Sequence, residues 1–153
     1  MNGTQLDTSM TLREAVAKAP LIDNVRGVHL LELGSGWDAL RVPAALGAPA
    51  LTRLRQAGEQ LGPVLHDAPG QRFYFTVPLG SGPHWHHVPV RLLSTGSWLV
   101  APDPSCASEW FGRWCELPDD GTLTAPGPLL SALTAGAGTP SDRGGATCGV
   151  LRP

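Results

Sequence analysis

The chain has 153 residues, 42% of them hydrophobic and 16% charged, which fits one lightly charged globular domain with a core of its own. Its net charge of −2 argues against a dedicated nucleic-acid binder held by a strongly basic face, though it leaves room for a local basic patch. Nineteen glycines and fifteen prolines imply many turns and short elements.

Residues 1–10 are polar and read as a flexible N-terminus. Thr11-Leu-Arg-Glu14 fits a capping box, so a helix is expected from there to Ala19, stopped by Pro20. Leu12, Val16 and Ala19 share its apolar face. Val28–Leu33 reads as a strand, closed by Gly34-Ser-Gly36. Asp38–Val42 reads as a second strand, with Asp38, Leu40 and Val42 on one face, Ala39 and Arg41 on the other, and Pro43 ending it. A helix is expected from Ala48 to Ala57, with Pro49 in its first turn. Leu61–His66 and Arg72–Val77 read as a hairpin around Asp67-Ala-Pro-Gly70. Phe73, Phe75 and Val77 face one way, Arg72, Tyr74 and Thr76 the other. His86–Leu92 and Ser97–Ala101 read as a further strand pair around Ser94-Thr-Gly96. Trp110–Glu116 reads as a short strand or turn, and Pro128–Leu133 as a short helix with Leu129, Leu130 and Leu133 turned to the core. From Ala135 onward Gly, Ser and Thr dominate, and a disordered tail is expected.

Several constellations invite a chemical reading. His84-Trp-His86-His87 would put His84 and His86 on one face of a strand, where they could hold a metal with His66, Cys106 or Cys115 as a third ligand. The competing reading is a loop edge beside a strand. Gly34-Ser-Gly36 and Gly80-Ser-Gly82 lack the spacing of phosphate loops and read as turn glycines. Trp110, Phe111 and Trp114 could stack on bases, but core packing is the preferred reading. Cys106, Cys115 and Cys148 are too few for a disulfide framework and read as free, idle thiols in a reducing compartment. No run reaches the ~20 apolar residues that a membrane span needs. The N-terminus lacks a secretory pattern. No membrane association is expected, and the expected location is cytoplasmic.

The order of the pieces resembles the primase/polymerase (Prim-Pol) domain of many actinobacterial and plasmid proteins. The segments that carry the resemblance are WDALRVP, the Leu46–Ala57 helix, LGPV, RFYF and VPVRLLSTGSWLVAPDPS, with Trp114 and Leu129–Leu133 behind them. It covers roughly residues 28–134. In that family aspartates end the first motif, a histidine stands near the aromatic pair, and a later strand carries another metal-binding acid. The matching positions here are Arg41 and Pro43, Phe73 or its neighbour, and Pro89. Nucleotide transfer needs divalent metal held by oxygen ligands, and arginine and proline side chains supply none. Asp38 lies nearby, but three residues from Arg41 on a strand puts it on the opposite face.

The expected fold is therefore α+β: a mostly antiparallel curved sheet with two or three helices, like a reduced Prim-Pol core, over residues 11–134. The expected function is that of an inactive Prim-Pol-like domain, a pseudoenzyme acting by binding an unidentified protein partner in regulation or assembly. The first alternative is a nucleotide or single-stranded nucleic acid held in the vestigial cleft by Arg41, Arg72, Phe73 and Arg91. The second is a repurposed metal enzyme using the His84–His87 cluster. No cofactor is expected, and exposed strand edges would permit a homodimer.

Overall fold

The architecture follows from strict alternation along the central strands. The computed structural model describes residues 11–21, 27–104 and 112–137. Seven strands run β1 (Val28–Glu32), β2 (Asp38–Pro43), β3 (Val64–Asp67), β4 (Arg72–Val77), β5 (Arg91–Leu93), β6 (Trp98–Pro102) and β7 (Arg113–Glu116). Among the described residues three helices accompany them: α1 (Leu12–Lys18), α2 (Ala44–Gln56) and α3 (Pro126–Ala137). Five strands form one antiparallel sheet in the order β5-β2-β4-β3-β7, and β1 pairs with β6 in a second, two-stranded sheet. The fold is α+β.

Both faces of the larger sheet are covered, by different things. Leu40, Val42, Phe73 and Phe75 turn to one face and join residues of α2 and α3 in a buried core. Ala39, Leu65 and Trp114 turn to the other and pack with Leu31, Leu99 and Val16 from the small sheet and α1. Strand β4 lies between β2 and β3, so β2 and β3 are parallel and α2 makes the crossover of a split β-α-β unit. That unit brings the β2–α2 corner against the β3–β4 turn: the Ala44 N–H donates to the Gln71 carbonyl at 2.8 Å. One of the helix's orphan donors is thereby satisfied.

The capping box at Thr11 forms as expected, with both reciprocal bonds to Glu14 at 3.2 Å. The β3–β4 hairpin and the faces of β2 and β4 also agree with the pattern in the sequence. Helix α2 does not start at Ala48; it begins a turn earlier, at Ala44, and Pro49 lies inside it. The bond that Pro49 cannot make belongs to the carbonyl of Ala45, an exposed residue at which water can take the donor's place. Strands β5 and β6 are not a pair: β5 joins β2, and β6 joins β1. The four residues between them make a tight turn, with Ser97 N–H on the Ser94 carbonyl at 2.8 Å. The turn changes sheets instead of closing a hairpin. Gly34 is part of the reason, because a Cβ there would run into the Thr95 backbone. The last helix runs to Ala137, so Ala135–Ala137 belong to it and not to a tail; 1–10 and 138–153 lie outside the described residues.

The cysteine expectation also changes. Cys115 is buried and disulfide-bonded, with its partner outside the described residues. Free thiols thus no longer argue for a reducing compartment. Among the described residues no helix is long and apolar enough to cross a membrane.

Two expectations follow from the helix-side core. A Cβ on Gly47 would stand 2.8 Å from Phe73 Cδ1 and 2.9 Å from its Cβ. Gly47→Ala is therefore expected to destabilise by about 1–3 kcal/mol, the usual cost of overpacking, read from the urea midpoint. His66 stacks on Phe73 with ring centroids 4.5 Å apart. Its pKa is lowered from 6.5, first by burial; Asp67 pulls the other way and Arg113 adds to the lowering. A depressed folded-state pKa means the contribution is whole above about 6.5 and is lost as pH falls through the folded value. Thermal midpoints of His66→Phe should accordingly drop less than those of the native chain between about pH 7 and about pH 5.

Candidate anion-binding recess

Strands β5, β2 and β4 present three guanidinium groups on the sheet face opposite α2 and α3. Arg41 stands directly opposite Arg91 on β5 and opposite Tyr74 on β4. Arg72 lies two residues before Tyr74, hence on the same face, and pairs with Pro43. The small sheet covers the part of this face around Ala39 and Leu65. Beyond that cover is a recess of ≈ 440 Å³ lined by Arg41, Arg72, Arg91, Pro43, Gln71 and Pro89, among others. The three positions at which the Prim-Pol resemblance places acidic residues, Arg41, Pro43 and Pro89, all line it.

None of the three arginines has a side-chain hydrogen bond or ion pair with another residue in the described part of the chain. Arg41 pairs with neither Asp38 nor Glu32. Asp38 shares the helix-side face with Leu40 and Val42; it is 2% exposed, and its Oδ1 has no partner. The ion pairs of the fold lie elsewhere. Arg55 of α2 holds Glu116 of β7 at 2.7 Å, and Arg13 holds Asp119 at 2.7 Å.

Arg41 and Arg91 are like charges directly across a strand pair, an arrangement that costs roughly 0.2–1 kcal/mol. A bound anion removes that cost and gains charge-assisted hydrogen bonds from planar, always-charged forks. The recess is thus electrostatically primed for phosphate or carboxylate. Arg91 and Pro89 lie on its exposed rim, so a ligand could keep one side in water.

Phe73 does not belong to this group. It is 1% exposed on the opposite face, packed beneath Gly47 and against Phe75. A buried phenylalanine contributes about 1.5–3 kcal/mol, and its role here is to hold α2 on the sheet. The histidine cluster also differs from its strand reading. Gly82–Trp85 is a 3-10 turn and His86 continues it with helical dihedrals. Residues two apart on such a turn point about 120° apart, so His84 and His86 do not share a face. Both are exposed, and among the described residues no three metal-ligating groups converge. The buried member of the motif is Trp85, whose indole N–H donates to Ser81 Oγ at 3.0 Å. Trp114 is likewise buried, with its N–H on the Pro102 carbonyl at 2.8 Å; Trp110 and Phe111 lie outside the described residues.

Compared with family models, curated proteins and solved structures, the chain matches none. The reading of the recess therefore rests on its geometry. A consequence is testable without knowing the ligand. Arg91→Gln should leave the fold unharmed and raise stability by roughly 0.2–1 kcal/mol, because it removes a cross-strand repulsion. Urea unfolding at low ionic strength should show the gain, and added salt should shrink it.

Proposed function

We propose that this protein is a non-catalytic binding protein whose arginine-lined recess takes a phosphorylated ligand, either a free nucleotide or the backbone of a single-stranded nucleic acid. The observation that carries the proposal is the convergence of Arg41, Arg72 and Arg91, none with a side-chain partner among the described residues, on one recess. Stability alone gives no reason to place Arg41 opposite Arg91; an anionic ligand does. The proposal fits a Prim-Pol ancestry. On that view one carboxylate has been replaced by Arg41 and two by prolines, so the phosphate is held directly by arginine instead of through metal. It also argues against nucleotidyl transfer, since the recess offers Mg²⁺ an arginine and two prolines where oxygen ligands are needed. The protein then acts by occupancy, as a regulatory or assembly component.

The test has two arms. Thermal shifts with nucleoside triphosphates, against inorganic phosphate and against sodium chloride of equal ionic strength, report free-ligand binding through mass action on the folded state. Filter binding of a single-stranded oligonucleotide at two salt concentrations reports backbone binding, with a salt slope of about −0.7 per neutralised phosphate. One arm or the other is expected to respond, and Arg41→Ala and Arg72→Ala should each abolish most of the response. No shift and no retention at low salt would sink the proposal.

A further inference from the structure

Among the described residues, one strand edge of the small sheet is open. Leu33 N–H donates to the Ser97 carbonyl at 3.0 Å, and the same register sets Leu31 opposite Leu99 and His29 opposite Ala101. Hydrogen-bonded pairs alternate in an antiparallel ladder, so Leu99 and Ala101 direct their main-chain groups to β1. Trp98, Val100 and Pro102 direct theirs the other way. Pro102 has no N–H, and its carbonyl is taken by the Trp114 indole. That leaves Trp98 and Val100, with two N–H and two C=O groups and no partner in the described part of the chain.

A second cavity, of ≈ 420 Å³, flanks this edge. Residues 97–100 form one wall, Leu65, Tyr74 and Leu93 contribute to its apolar lining, and Arg41 and Asp67 are its charged members. No β1 residue lines it, which puts it on the unpaired side of β6. The side chains of Trp98 and Val100 are 49% and 47% exposed beside it. Asp67 Oδ1 is already occupied by the Gly70 N–H at 2.9 Å, whereas the Arg41 guanidinium is unpaired and has Arg91 as its cross-strand neighbour.

We infer that the β6 edge is a docking site for an extended acidic peptide, which adds as a strand beside Trp98–Val100. Main-chain pairing with four open groups supplies affinity, and alternate side chains supply selectivity. One set of alternate residues drops an aliphatic side chain toward Leu65, Tyr74 and Leu93. A carboxylate on another residue of the same set reaches Arg41, which shares that sheet face with Leu65 and Tyr74. The cavity is the size of a small-ligand pocket, so it admits single side chains and not a bulky element. This inference does not rest on the phosphate reading; it uses another edge and shares only Arg41 with it.

The test uses the full chain, ¹⁵N-labelled, and a pool of octapeptides in which every position is drawn from Asp, Glu, Val, Ile and Leu. The pool should shift the amide signals of Trp98 and Val100 and slow their hydrogen exchange. Val100→Pro removes one outward N–H without touching the β1 ladder, and should weaken binding about tenfold, the worth of a hydrogen bond near 1.4 kcal/mol. The same pool N-methylated along its backbone should lose binding to the native protein, which keeps the test decisive if the proline variant fails to fold. Arg41→Ala should weaken the acidic pool but leave a Ser/Val pool unaffected. Absent amide shifts at millimolar peptide, or equal binding by the methylated pool, would overturn the inference. So would a stable dimer in sedimentation whose formation protects the same two amides.

Discussion

The register that sets Leu40 opposite Phe75 and Leu92 also sets Arg41 opposite Tyr74 and Arg91. Because side chains alternate with a period of two, a slip of one residue would send Arg41 into the helix-side core and Leu40 into water. The core therefore enforces the recess. Burial of Leu40, Val42, Phe73 and Phe75 stabilises the pairing by several times the roughly 0.2–1 kcal/mol that the Arg41–Arg91 repulsion costs. The arginines are held together by side chains on the far side of the same strands.

The crossover helix completes that constraint. Pro43 ends β2 at the wall of the recess and is the N-cap of α2, so the turn that starts the helix also shapes the site. Gly47 lets the first turns of α2 close on Phe73, and Arg55 near its end ties it to Glu116 on β7. Strands β2 and β7 lie on opposite sides of the β4–β3 hairpin. The helix thus spans four of the five strands and limits their sliding. The recess sits on the sheet's outer side near β5, an edge strand of three residues, where few contacts oppose the entry of a ligand.

Much of this was legible in the sequence, for a physical reason. Alternation in DALRV and RFYFTV is local and survives any tertiary arrangement that buries one face, so the faces of β2 and β4 and the membership of Arg41, Arg72 and Arg91 could be read from it. What failed depended on partners far away in the chain. Ser94–Ser97 looks like a hairpin turn in isolation; only the demand of β1 for a partner shows that it changes sheets. Pro49 looks like a helix start unless the exposure of Ala45, whose carbonyl it leaves without an intrahelical donor, is known. The cluster around His84 looks like a strand until Trp85 is seen filling the core. Phe73 was grouped with the arginines by proximity in the resemblance, although its parity along β4 already put it on the other face. The disulfide at Cys115 has no local signature at all, because a cysteine's partner is set by the fold.

Arg41 is the point at which the two sites meet, since it lines both the recess and the cavity beside β6. On the two proposals above, an anion bound among the three arginines neutralises the charge that an acidic strand would seek. Coupling between sites is reciprocal, so each occupant lowers the affinity of the other by the same factor. A single guanidinium can then make the protein's hold on a partner depend on the phosphorylated ligand, with no change of shape. That dependence needs no catalysis, and it is consistent with a sheet on which Arg41 stands where the resemblance would place a carboxylate.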